Sequence, residues 1–364
     1  VAKALHVAPA DRLESALPTA PGCLLFSAAA ADPFMNPELI QAIQTNLVSP
    51  PVLFFVLGCI AALVKSDLRF PEALYLGLTI YLLAAIGLKG GAAVSEAGLG
   101  QVLIPGLAAV VLGTVIPLWS FALLRGIGKL KQADAAAIAA HYGSVSAMTF
   151  IAGTNFLKQM HVPYEEYASA FLAVMESPAI IVGVVLGRMA VREAGRSPWG
   201  TLRSALHEAA FGKSVVLLVG ALGIGYLCGK KGVASTEGFF VTPFQGVLSL
   251  FLLEMGTVAA RRFGDLRKVG AFLFGFAVVM PLIHGALGVC VGRWAGLGEG
   301  GAMLMGVLAA SASYIAAPAA MRLSLPEANP TFYLTTSLAI TFPFNIVIGL
   351  PVYFAIARAL FATP

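Results

Sequence analysis

The chain has 364 residues, 59% of them hydrophobic and 11% charged, with a mean hydropathy of +0.87 and a net charge of +5. A soluble domain has about 25% charged residues, so this composition excludes a soluble enzyme and points to an all-α integral membrane protein. The Lys and Arg excess falls in loops, where it reads as a topology signal and not as a nucleic-acid patch.

Residues 1–34 stand apart. Gly22-Cys-Leu-Leu-Phe-Ser before a run of alanines weakly resembles a cleavage region, yet it lacks a proper basic segment in front. Met35-Asn-Pro-Glu reads as a natural start. A leader with little fixed structure is expected here. Ten stretches nearly free of Asp, Glu, Lys and Arg follow, at 39–64, 73–88, 97–124, 135–157, 167–187, 214–229, 238–260, 269–292, 300–321 and 328–357. The two 16-residue stretches reach only about 24 Å at 1.5 Å per residue. Flanking Lys89 and Lys230 extend them by snorkelling. Cys23, Cys59, Cys228 and Cys290 have no paired spacing, which argues against a disulfide framework or a zinc site.

Of the 23 Lys and Arg, 15 lie in the loops after the first, third, fifth, seventh and ninth stretches. The positive-inside rule places those loops in the cytoplasm and both termini outside. The cytoplasmic linker 188–213 divides a first repeat, 35–187, from a second, 214–364. Each half holds five spans, and an odd number makes the second half cross upside down.

The halves share punctuation. Gly87 pairs with Gly256, Pro117 with Pro281, Ser144-x-Ser146 with Ser311-x-Ser313, Val162-Pro163 with Leu325-Pro326, and Pro178 with Pro343. The two Ser-x-Ser pairs lie 167 residues apart. Each sits inside an apolar span beside a helix breaker, Gly143 in one case and Pro318 in the other. Freed backbone is tolerated at membrane depth only inside protein or a wet cavity. The fourth and ninth helices are therefore expected to be discontinuous, as in secondary transporters built from inverted repeats.

Two broken helices would aim positive half-helix ends at one point. That arrangement suits a small anion without a buried Arg or Lys. The hydroxyls of Ser144, Ser146, Ser311 and Ser313 are candidate anion ligands, unless they bond their own helix carbonyls. Glu176 stands mid-span before Ser177-Pro178, where an ionisable side chain is costly and implies function. Oxygen ligands suit a hard cation such as Na⁺, and Thr149, Ser177, Thr341 and Asn345 are candidate neighbours. Glu254 lies nearer its span's end. His141 and His284 are candidate proton carriers.

At these residues the chain resembles the sodium-dependent bicarbonate transporter family, typified by a cyanobacterial uptake system. The resemblance covers about 48–357. It is carried by Ile86-Gly-Leu-Lys-Gly-Gly, Val162-Pro-Tyr-Glu-Glu-Tyr-Ala, Met175-Glu-Ser-Pro-Ala, Leu248-Ser-Leu with Met255-Gly, Asp265-Leu-Arg-Lys-Val, Leu308-Ala-Ala-Ser-Ala-Ser and Leu325-Pro-Glu-Ala-Asn-Pro. It implies Na⁺-coupled bicarbonate import across the plasma membrane by a homotrimer of ten-helix subunits, with a PII-like regulator docking on the cytoplasmic face. By motif position, the substrate and Na⁺ residues fall at 144–149, Glu176 and 311–313. The chain departs from the cyanobacterial pattern at Tyr314, where an acidic residue stands in that form, and at Glu176, where Asp stands. Tyr314 joins the candidate substrate residues on this ground.

A proton-coupled anion carrier or a cation/proton antiporter of crossed-helix architecture is the alternative. An antiporter usually wants acidic pairs beside the break, where Ser146 and Tyr314 stand. An intramembrane enzyme is disfavoured, because no Gly-x-Ser-x-Gly, His-Glu-x-x-His or paired aspartates occur in the spans. A sensor with a large soluble domain has no room in the central loop.

Overall fold

A backbone without water must satisfy its own hydrogen bonds, and in the computed structural model every described element is accordingly helical. The structure describes residues 44, 46–68, 70–188, 211 and 213–362, which belong to one compact unit. The expected leader 1–34 and most of the linker 188–213 lie outside the described residues.

Helix α1 is Pro50–Leu63, opened by proline at a position that needs no N–H. Next come α2 (Glu72–Ala97), α3 (Leu99–Gly126), α4 (Gln132–Gly143), α5 (Ala147–Gln159) and α6 (Ala170–Arg188). The second half holds α7 (Lys213–Ala234), α8 (Phe244–Arg261), α9 (Leu266–Trp294), α10 (Glu299–Ala310), α11 (Ala316–Ser324) and α12 (Pro330–Ala362). Seven described segments are long and apolar enough to cross a membrane, with α1 and α10 as shorter apolar helices.

Burial separates centre from periphery. In the apolar window of Gln132–Gln159, which joins α4 and α5, 94% of residues are buried, against 17% for Val215–Ala234. Every residue from Gly300 to Ala310 is buried too. The two interrupted helices therefore run through the middle, and α7 faces outward.

Glycines set the closest crossings. Gly58 of α1 lies on the Leu253 carbonyl of α8, and Gly256 of α8 lies on the Phe55 carbonyl of α1. In the same way Gly91 of α2 lies on the Leu222 carbonyl of α7, and Gly225 of α7 on the Leu88 carbonyl of α2. A Cβ at any of the four would overlap backbone. Small residues that let backbones approach are how helices associate where lipid removes the hydrophobic drive.

Both interruptions fall on the serines, not on the breakers. Gly143 is the last helical residue of α4, and the space its missing Cβ leaves is filled by Pro117. Pro318 sits in the first turn of α11, where a missing N–H costs nothing. Around Pro343 and before Pro351, α12 widens into π-helix at Thr335–Thr341 and Asn345–Gly349. Such insertions relieve a hydrogen-bond ladder that proline has interrupted.

Candidate functional site

Each interruption is a short extended segment with a serine at either end. Ser144 has φ −81° and ψ 159°, and Ser311 has φ −78° and ψ 159°. Two residues on, Ser146 caps α5 by accepting from the Thr149 amide at 3.2 Å. Ser313 accepts from the Ala317 amide at 3.3 Å at the start of α11. The same local chemistry is thus built twice.

The two segments are bonded to one another. The Ser146 amide donates to Ser311 Oγ at 2.8 Å, and the Ser313 amide donates to the His141 carbonyl at 2.8 Å. Ser311 Oγ also donates to the Leu308 carbonyl at 2.8 Å, so part of its capacity goes to its own helix. Ser144 Oγ is buried without a hydrogen-bond partner.

A cavity with about 390 Å³ of empty space opens at this crossing. Its polar lining is Ser146, Ser313, Tyr314 and Glu176, and Leu83, Leu172 and Leu218 close the apolar side. Val145–Ala147 and Ser313–Ile315 bring the N-terminal ends of α5 and α11 to the same space. Those ends carry the positive poles of two helix dipoles, with the Thr149 and Ala317 amides capped by Ser146 and Ser313. Among the described residues no Lys or Arg lines the cavity. Glu176 is only 8% exposed there, reached from α6 where Gly113 of α3 lies against the Met175 backbone. The Tyr314 ring packs edge-on against Phe342 at 5.1 Å, and its hydroxyl, buried beside Ser146, makes no well-formed hydrogen bond.

The structure therefore gathers Ser146, Ser313, Tyr314 and Glu176, with Ser144 and Ser311 at the crossing itself. Thr149 lies one turn into α5, fully buried. Ser177 follows Glu176 and is half-buried. Thr341 and Asn345 are spent on neighbouring helices. Thr341 Oγ1 donates to the Ala277 carbonyl at 2.7 Å and meets the Tyr142 hydroxyl at 2.6 Å. Asn345 donates to the Ala310 carbonyl at 2.9 Å, at the freed end of α10, and accepts from the Tyr353 hydroxyl at 2.7 Å. His141 Nδ1 lies 2.6 Å from the Ala137 carbonyl, leaving a buried, unpartnered Nε2. His284 accepts from Trp119 Nε1 at 2.7 Å. Glu254 accepts from Thr257 Oγ1 at 3.1 Å, away from the cavity.

Sequence reasoning missed two features. Asn155 and Gln245 pair their amides between α5 and α8. Lys89, which reads in sequence as a flanking charge, and Lys158 line a second cavity together with Thr154, Tyr164 and Glu166. Tyr164 lies in a loop between spans, and burial, then the Glu166 charge, push its phenol up to about 12.

Helices interrupted beside a shared cavity with a carboxylate and hydroxyls in its lining are the arrangement found in membrane transport proteins. Residues 50–358 match the family model of the Na⁺-dependent bicarbonate transporter superfamily. The chain belongs to that superfamily. No curated protein matches the sequence.

Proposed function

We propose that the protein is a Na⁺-coupled symporter of bicarbonate, or a similarly small anion, working by alternating access. One observation carries this reading: two helix N-termini and a buried carboxylate share one cavity, with no Lys or Arg in its lining among the described residues. The anion sits between the ends of α5 and α11. Ser144, Ser146, Ser311, Ser313 and Tyr314 supply hydroxyls to its oxygens. Glu176 binds Na⁺, with neutral oxygens from Ser177 and Thr149. Thr341 and Asn345 hold the surrounding helices in place for that ion.

Coupling follows from charge. An ionised Glu176 repels an anion in the same cavity, by about 3 kcal/mol for unit charges about 6 Å apart at an effective dielectric of about 20. Na⁺ on the carboxylate removes that repulsion, so each ion strengthens the binding of the other.

The architecture we propose is ten crossings in two inverted five-helix repeats. The glycine contacts support it. A shift of 167 residues carries Phe55, Gly58 and Cys59 onto Leu222, Gly225 and Tyr226, and a shift of 165 carries Leu88, Gly91 and Ala92 onto Leu253, Gly256 and Thr257. The α1–α8 crossing and the α2–α7 crossing thus use matching contacts. In this register Gly256 pairs with Gly91, not Gly87. The membrane is the plasma membrane, with both termini outside. The homotrimer and the PII-like partner rest on the family resemblance alone.

The test is uptake of labelled bicarbonate into proteoliposomes under an inward Na⁺ gradient, against a choline control. Native protein is expected to need Na⁺, and Glu176→Gln to lose that dependence. The buried Nε2 of His141 favours a second reading, proton coupling. Uptake driven by a proton gradient and indifferent to Na⁺ would select it.

A further inference from the structure

The second cavity continues from the first along the same three elements. On α5, Ser146 lines the first cavity, and Phe150, Thr154 and Lys158 line the second. These positions recur every four residues, on one helix face, and span about 18 Å at 1.5 Å per residue. On α2, Leu83 gives way to Ile86, Lys89 and Gly90. On the third side Glu176 and Leu172 give way to Ser169 and Glu166. The second cavity holds about 430 Å³ of empty space, and Phe150 stands one turn from Ser146, between the two.

Its charge differs from that of the first cavity. Lys89 and Lys158 face Glu166 within the lining, and exposed Glu237 acts on Lys89 from beyond it. Lys89 is half-buried with its ammonium 5.7 Å from the Phe244 ring centre. Neither lysine forms an ion pair among the described residues. Two ammonium groups and one carboxylate leave the lining cationic. Thr154, Ser169 and the phenol of Tyr164 add hydroxyls. A shift of 165 residues carries Lys89 onto Glu254 and a shift of 167 carries Lys158 onto Leu325, so neither lysine recurs at its matched position in the second half.

We propose that this cavity is a capture vestibule for the small oxyanion, in which Lys89 and Lys158 concentrate it before it passes Phe150 to the crossing. The inference rests on the transport reading above and adds the place where the anion is first held. Net positive charge in a cleft raises the local concentration and on-rate of an anion; with Glu166 opposing the two lysines, the low end of the range for single-sign clefts, about tenfold, applies here. Because only one face carries the lysines, capture is favoured from that face.

Two measurements test it. The first is the kinetics of bicarbonate uptake by Lys89→Gln, Lys158→Gln and the double variant. Each single change is expected to raise KM about three- to tenfold, with kcat and the Na⁺ half-saturation unchanged. The double variant should also lose most of the dependence on ionic strength, and Lys→Arg at either position should restore it. The second needs no transport. Purified native protein is treated with an impermeant amine-reactive ester at constant pH, and modification of Lys89 and Lys158 is followed by mass spectrometry. Bicarbonate should slow both about fivefold or more, while exposed Lys230 is unaffected. Protection without any uptake would leave the vestibule standing and remove the symport reading. Uptake with unchanged KM in the double variant and no protection would overturn the vestibule, as would a fall in kcat alone.

Discussion

Asn345 and Thr341 show how a buried polar side chain divides between structure and function. Asn345 pairs the carbonyl that the interruption leaves at Ala310 and also holds Tyr353. Asn345→Ala strands both groups in the interior, at about 1–3 kcal/mol for an unsatisfied buried polar group. The variant should unfold at lower temperature in detergent and keep its Na⁺ half-saturation. Thr341→Val removes the bonds to Ala277 and Tyr142, and the same pattern is expected. A shifted Na⁺ affinity with unchanged stability would instead make either residue a direct ligand. Glu176 is the contrasting case, since among the described residues no Lys or Arg shares its cavity. Its candidacy was legible because a carboxylate in mid-span has a cost that only function offsets. The hydrogen bonds that Thr341 and Asn345 make to other helices were not legible. A hydroxyl or amide near Pro343 looks the same in sequence whether it meets an ion or a carbonyl on another helix.

The same limit appears among the helices. The apolar stretches located α3 and α6 closely and the start of α2, which runs on past Leu88 to Ala97, because long helices in lipid must be apolar along their length. The site of each interruption was legible to within a few residues, although its cause was misread. Proline and glycine suggested themselves as breakers, whereas the chain leaves the helix at Ser144 and Ser311, and Gly143 serves packing against Pro117. The π-helical turns of α12 had no signal beyond proline, because the register of a hydrogen-bond ladder depends on neighbours distant in sequence. The glycine crossings give a test at this scale. Gly58→Ala, Gly91→Ala, Gly225→Ala and Gly256→Ala each drive a methyl into a facing carbonyl. Overpacking of this kind costs about 1–3 kcal/mol, and each variant should lower the unfolding midpoint. Gly77→Ala meets nothing within 4 Å and removes a glycine from a helix, so it should be neutral or stabilising. If Gly58→Ala and Gly77→Ala behave alike, α1 and α8 do not cross at this distance.

At the scale of the molecule, the two halves share the serine pairs and the glycine crossings but differ in their chemistry. A shift of 165 residues, which pairs Pro178 with Pro343 and Gly91 with Gly256, carries Glu176 onto Thr341 and Lys89 onto Glu254. One half thus brings a carboxylate to the cavity where the other brings a hydroxyl bonded to its neighbours. Repetition of Gly, Pro and Ser was readable along the chain, but the stacking of two cavities on α2, α5 and α6 was not, since it depends on which helix faces meet. That stacking predicts a sided pathway. The first cavity adjoins the second, whereas at the far end of α11 Met321 and Leu325 are fully buried, with Leu325 packed on Gly187 of α6. A cysteine at Leu83, which lines the first cavity, should therefore react with an impermeant thiol reagent from the face bearing Lys89 and Lys158. Native Cys228 and Cys290 are exposed and Cys59 is half-buried, so the experiment needs a background with these and Cys23 replaced. An alternative state populated at 0.1–10% gives at least about a tenfold preference for that face over the other. A cysteine at Met321 should show the opposite preference. Na⁺ with bicarbonate should slow the first reaction and speed the second, because alternating access closes one side as it opens the other. Equal rates from both faces at Leu83 would mean that the cavity is not gated, and the symport reading would then fail at the level of the fold.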